Sequence, residues 1–179
     1  YKEIKCWGWN NLGQYTPPSG KFTKITSHLY KTCGLTIDNQ VICWGSETLI
    51  SVSGTVSGSL TEQNNGTFID ISAGAAHTCG LDHQGSISCW GLIDPVNWRN
   101  DYGQFSNLKH HQFTQISSGT NHNCGILLDG SIICWGWNRN NQLNSPTGSF
   151  TKISSGYSHN CAIDIFGTVQ CWGAGDNVN

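Results

Sequence analysis

The chain has 179 residues, of which 11% are charged, and a formal net charge of −2 with no basic block. That balance argues against nucleic acid or anionic lipid as partners recognised through bulk charge, and no apolar run approaches the roughly 20 residues that cross a bilayer. Nine cysteines, eight of them evenly paired in spacing, point to an oxidising compartment and so to a secreted or cell-surface protein without membrane insertion. There is no methionine and no signal-like start, as in a processed secreted chain.

The first stretch, Ile4-Lys5-Cys6-Trp7-Gly8, matches Val41-Ile42-Cys43-Trp44-Gly45. Residues 1–8 therefore read as the closing strand of a unit whose earlier half precedes them. Cys6 is the odd cysteine: bonded upstream in a longer chain, bonded to another molecule, or free. Trp9-Asn10-Asn11-Leu12-Gly13-Gln14 follows, then a turn at Pro17-Pro18-Ser19-Gly20 and a short alternating strand, Phe22-Thr23-Lys24-Ile25. Thr26-Ser27-His28 stands where the other units have a small-residue turn (Ser72-Ala73-Gly74, Ser117-Ser118-Gly119, Ser154-Ser155-Gly156), so the first turn is expected to differ.

Successive Cys-Trp-Gly cysteines lie 37, 46, 45 and 37 residues apart. A fixed internal period means supersecondary units stacked on one another. One repeat region over 1–179 is expected, with repeats at about 9–45, 46–91, 92–136 and 137–173 and partial repeats at 1–8 and 174–179. The second and third units carry insertions, which belong in loops; 46–67 and 92–112 are the candidate variable segments. The polar loop 46–67 holds Asn65-Gly66-Thr67, an N-glycosylation sequon at Asn65.

Within each unit two cysteines stand ten positions apart: Cys33 and Cys43, Cys79 and Cys89, Cys124 and Cys134, Cys161 and Cys171. Between them lies a three-residue loop ending in Gly85, Gly130, Gly167 or Asn39, residue types that accept positive φ. With Leu128–Gly130 as the loop, Ile126 faces Ile132 and Cys124 faces Cys134, and a directly opposed antiparallel pair suits a disulfide. Four hairpin disulfides are the expectation. Metal is the rival, because His77, His122 and His159 precede their cysteines by two; the spacing is not that of zinc ligands, however, and Lys31 replaces the His in the first unit.

The combination Phe150-x-x-Ile153-Ser-x-Gly156-x-x-His159, Gly167-x-Val169 and Cys171-Trp172-Gly173 resembles the repeats of the regulator of chromosome condensation family. Ile116-Ser-x-Gly119, His122, Gly130-Ser-Ile132 and Trp135-Gly136-Trp137-Asn138 with Gln142-Leu143 carry the same likeness. The resemblance implies an all-β fold, a β-propeller of four complete blades plus partial repeats at both ends. Family propellers usually close with seven blades, so a segment of a larger propeller or a filament subunit is expected rather than a four-bladed ring. The cysteine-paired form looks like the extracellular varieties, among them crinkly-type receptor ectodomains.

No phosphate loop, His-Glu-x-x-His, Gly-x-Ser-x-Gly or paired-carboxylate motif occurs, which argues against an enzyme and against a cofactor. His77, His122 and His159 are expected to hydrogen-bond their own Gly-x-x-His turns. Trp7, Trp44, Trp90, Trp135 and Trp172 are expected to pack between blades. Trp9, Trp98, Tyr102 and Trp137 are the candidate contact residues on loops, where aromatics stack on sugars, fill a protein pocket or brace the loop itself. Two functions follow: a secreted structural or adhesive protein that self-associates, and a protein-binding propeller (receptor ectodomain or enzyme inhibitor) that reads its partner with 46–67 and 92–112.

Overall fold

The computed structural model describes residues 4–45, 66–91, 102–106 and 108–174. Their twelve strands form four separate antiparallel sheets of three strands each, in simple up-and-down order. Blade 1 holds β1 (Phe22–His28), β2 (Lys31–Thr36) and β3 (Val41–Gly45). Blade 2 holds β4 (Phe68–Ala73), β5 (His77–Asp82) and β6 (Ile87–Gly91). Blade 3 holds β7 (Phe113–Ser118), β8 (His122–Leu127) and β9 (Ile132–Gly136), and blade 4 holds β10 (Phe150–Ser155), β11 (His159–Asp164) and β12 (Val169–Gly173).

The second and third strands of each blade make the hairpin that turn chemistry requires. Gly85, Gly130 and Gly167 end its loop with φ of 79°, 85° and 85°, and Asn39 does so at 61°. An Asp carboxylate secures the turn in three of the blades: Asp82 Oδ1 accepts from the Gln84 and Ser86 N–H groups, Asp129 Oδ1 from the Ser131 N–H and hydroxyl, and Asp164 Oδ1 from the N–H groups of Phe166 and Thr168. In register, Ile126 faces Ile132, Gly125 faces Ile133 and Cys124 faces Cys134. The other three hairpins repeat this pairing, and in all four the opposed cysteines are bonded with Cα atoms 4.0 Å apart.

The first strand of each blade departs from strict alternation. Phe and Ile in Phe-x-x-Ile are three residues apart and would face opposite sides of a regular strand. A register shift after the Phe, between Phe22 and Lys24, Phe68 and Asp70, Phe113 and Gln115, and Phe150 and Lys152, turns both to one side. Phe68 and Ile71 are buried as a result, as are Phe113 and Ile116. In blade 1, β1 runs on to His28 and Leu29 takes a left-handed φ of 46°, so this turn does differ from its small-residue counterparts.

No blade has a core of its own. Cys33, Leu35 and Val41 of blade 1 pack under Phe68, Ile71 and Trp90 of blade 2. Cys79, Leu81 and Ile87 pack under Phe113, Ile116 and Trp135, and Cys124, Ile126 and Ile132 under Phe150, Ala162 and Trp172. The core is thus three sandwiches between consecutive blades, with the first strands β1, β4, β7 and β10 side by side in chain order. The sheets are arranged as the blades of a propeller arc.

Replacing Cys124 and Cys134 together by serine removes a cross-link that closes a short loop. It is expected to lower stability by about 2–3 kcal/mol, read as a shifted urea midpoint with the four-sheet circular dichroism spectrum retained.

Candidate functional site

The residues singled out in sequence fall into two groups: those consumed in joining blades, and those left at the ends of the arc. His77, His122 and Asn123 are fully buried at the joins. The imidazoles do not serve their own turns, as expected above, but reach across to the next blade. His77 Nε2 lies 2.8 Å from Asn123 Oδ1, and His122 Nε2 lies 2.8 Å from Asn160 Oδ1. Each ring lies against the glycine of its own Gly-x-x-His turn, where a side chain on Gly74 or Gly119 would sit 2.2 Å from the imidazole Cε1. The glycine makes room for the ring, while the bond that orients the ring comes from a neighbour 38 or 46 residues away in sequence.

The acceptor asparagine is itself held. Asn123 Nδ2 donates to the Gln104 carbonyl at 3.0 Å and Asn160 Nδ2 to the Gln142 carbonyl at 2.8 Å. The same two carbonyls accept from Trp135 Nε1 (3.2 Å) and Trp172 Nε1 (3.0 Å). Gln14, Gln104 and Gln142 end the loops that open three of the repeats: Gln14 Oε1 accepts from the Leu12 N–H, Gln104 Oε1 from the Tyr102 N–H and Gln142 Oε1 from the Asn140 N–H. The residue before the Gln is left-handed, as Gly13, Gly103 or Asn141, which explains the recurring Trp-Asn-x-x-Gly/Asn-Gln string. Gln142 carries part of the family likeness in sequence, whereas Asn123 and Asn160 stand unremarked between the His and the Cys of their strands.

Two further bonds recur at every junction. The hydroxyl of Thr26, Ser72 or Ser117 accepts the N–H of Ala73, Ser118 or Ser155 in the following blade. The loop-end carbonyl of Asn39, Gly85 or Gly130 accepts the N–H of Phe68, Phe113 or Phe150. The ends of the first strands after each Phe-x-x-Ile therefore carry a hydroxyl seam that joins consecutive blades.

In blade 1 the imidazole is replaced by Lys31, just 2% exposed, whose Nζ donates to the His77 carbonyl and to Thr78 Oγ1 at 3.0 Å. Burial pushes the Lys31 ammonium down to about 7. Burial also holds His77 well below the usual imidazole range, at about 3; the Lys31 charge lowers it further and the Asn123 bond opposes. Burial lowers His122 against the bond from Asn160, and burial followed by Lys31 lowers His28. The buried imidazoles are neutral at pH 7, with Nε2 as donor to Asn. Among the described residues no group of three His, Cys, Asp or Glu side chains could hold a metal ion.

At the ends of the arc the picture reverses. Trp7 does not pack between blades as its sequence position implied; among the described residues nothing covers it and it is 87% exposed. Trp44 and Trp90 are half-buried, and Trp135 and Trp172 are buried. Cys6 is a free, half-buried thiol on a cleft of about 310 Å³ shared with Trp9, Tyr15, Ile25 and Thr32. Trp9 packs edge-on against Tyr30 at 5.7 Å, and Trp137 stacks with Tyr102 at 5.6 Å. Trp98, Asn65 and most of the 46–67 and 92–112 segments lie outside the described residues.

Stacked disulfide-bearing three-stranded blades joined through buried polar pairs, His with Asn at two junctions and Lys with Thr at the first, define a β-propeller built from repeats. The chain belongs to the family of the regulator of chromosome condensation (RCC1) repeat, whose model matches residues 68–104, 113–142 and 150–178. Solved structures share the fold. The CRINKLY WD40 ectodomain of the Arabidopsis thaliana receptor kinase ACR4 is 24% identical with a TM-score of 0.71, over 94% of this chain and 61% of that one. The ectodomain of the Physcomitrella patens receptor kinase CR4 is also 24% identical at 0.71, over 95% and 46%. Prp20p of Saccharomyces cerevisiae is 16% identical at 0.63, over 83% and 43%. The chain thus spans about six-tenths or less of the length of these structures. Among proteins of curated function none matches.

The neutral imidazoles give the fold an acid-sensitive seam. Unfolding frees His77 to bind a proton at its ordinary 6.5, whereas the folded ring resists down to about 3. Stability is therefore full above about 6.5 and falls as pH drops towards 3, by on the order of a few kcal/mol from this ring. Lys31 acts at the other side, with stability rising from pH 7 to 10.5. Urea unfolding across pH should show both slopes; His77→Gln is expected to flatten the acid one and Lys31→Gln the alkaline one.

Proposed function

We propose that this chain is an extracellular propeller domain that works by binding protein rather than by catalysis. The observation that carries this reading is the aromatic rim along one end of the strands. The first-to-second-strand turns and the segments leaving each Cys-Trp-Gly emerge there, and they expose Leu29, Trp9, Tyr102 and Tyr157. Apolar rings held on a rigid frame are what a protein partner buries at little entropic cost. The 46–67 and 92–112 segments follow Gly45 and Gly91, the residues that close β3 and β6. Four disulfides support an oxidising compartment. The comparisons agree in kind: two neighbours are receptor kinase ectodomains, and yeast Prp20 has binding properties toward Gsp1p and histones and forms a complex with Kap60.

A second reading, a self-assembling structural protein, draws on the opposite characters of the two terminal faces. Blade 1 turns Phe22, Ile25 and Trp44 outward, and blade 4 turns out Ile163 and Val169. These are the two kinds of surface that meet inside the arc. It requires assembly that grows with concentration, which sedimentation velocity reads directly.

Ligands selected from a display library of extracellular protein segments test the first reading. Trp9→Ala, Tyr102→Ala and Tyr157→Ala are expected to weaken a selected ligand at least tenfold in combination, in line with loss of buried aromatic anchors, with the thermal midpoint unchanged within a few degrees. Selected ligands indifferent to all three substitutions overturn it.

A further inference from the structure

At each junction the residue two places before the first disulfide cysteine of one blade meets the residue one place before that cysteine in the next. The pairs are Lys31 with Thr78, His77 with Asn123 and His122 with Asn160. Side-chain length is exchanged across the pair. Lysine reaches one bond further than the Nε2 of histidine, and threonine stops one bond short of the Oδ1 of asparagine. The apolar sandwich, the hydroxyl seam and the loop-end carbonyl bond recur at all three junctions. They set the distance between the two backbones, so the two side chains must span that gap together.

A mismatch is costly from either side. Histidine opposite threonine leaves the buried Nε2–H without an acceptor in reach. Lysine opposite asparagine overfills the space and displaces the carboxamide from its glutamine carbonyl. Asn123 and Asn160 are both fully buried, so neither fault is relieved by exposure.

We propose that this pair is a matching key that decides which blade face can join which. The open face of blade 4 accordingly takes a β-sheet with Asn at the key position, a blade of the His-Asn-Cys kind, in preference to blade 1 of a second copy. The face itself continues the series already formed. His159, the Cys161–Cys171 disulfide, Ile163 and Val169 repeat the set His122, Cys124–Cys134, Ile126 and Ile132 that blade 4 covers with Phe150, Ala162 and Trp172. Val169 is 61% exposed where Ile132 is 7%. Blade 1 of another copy would bring suitable rings in Phe22 and Trp44, but its key residue is Thr32, whose hydroxyl donates to the Gln14 carbonyl at 3.1 Å. Apolar complementarity therefore admits head-to-tail contact, while the key disfavours it.

The test lengthens the chain by inserting a second copy of residues 137–173 after Gly173, so that a further blade follows His159. Four proteins are compared: His159 or His159→Lys, each followed by a copy that keeps Asn or carries Thr at the position copying Asn160. The matched proteins, His with Asn and Lys with Thr, are expected to unfold about 2–4 °C higher than the two crossed ones. Additive effects with no coupling overturn the key. The same cycle at an interior junction, His77→Lys with Asn123→Thr, gives the answer independently of how the added blade folds: the double variant should regain at least half of the midpoint lost by the two singles, and a loss equal to their sum overturns the proposal. Sedimentation of the unextended chain at about 100 µM, well above a micromolar contact, is expected to show monomer. Assembly abolished by Val169→Glu overturns the stated preference between the two occupants.

Discussion

A three-stranded sheet closed by one disulfide has one apolar face and nothing of its own to bury it against. In this protein each such face finds cover only when the next blade lays a phenylalanine, an isoleucine or alanine, and a tryptophan across the disulfide and the two aliphatic residues beside it. The sandwich is directional, since the disulfide side always looks forward and the aromatic side back. Arc shape, blade order and the nature of both ends follow from that single contact, repeated.

Because the contact is directional, its polar accompaniment has to be satisfied across the same gap. The imidazole, the carboxamide, the glutamine carbonyl and the indole N–H form a chain of donors and acceptors that passes from one blade into the next. Buried polar groups linked in this way hold the blades in one register, which apolar rings alone do not enforce. The consequence is stiffness. Aromatic residues at the ends of the blades, Tyr102 and Tyr157 among them, sit on a frame whose parts cannot slide.

The same dependence explains why residues of equal sequence standing behave differently. Trp7, Trp135 and Trp172 occupy one repeat position, yet Trp7 is exposed and the other two are buried. His159 and His122 likewise share a position, and only His122 meets an asparagine across a junction. A side chain's environment here is a property of the neighbouring blade as much as of its own.

Spacing and turn chemistry sufficed for the hairpins: cysteines ten positions apart and a left-handed residue ending the loop leave one register, because a slip of one position would put the sulfurs on opposite faces. The family and the all-β architecture were readable from the period and from the Gly-x-x-His and Cys-Trp-Gly strings. The alternation expected of Phe-x-x-Ile failed at a bulge, which depends on what the strand must cover rather than on its own composition. The histidines were assigned to their local turns because the glycine three residues before is indeed local. Their hydrogen-bond partners sit 38 and 46 residues further on, at strand positions between a His and a Cys that nothing in the local sequence marks. Local geometry is encoded locally and can be read there. Which buried donor meets which acceptor is settled only when two blades close on each other, since neither side chain is buried until then.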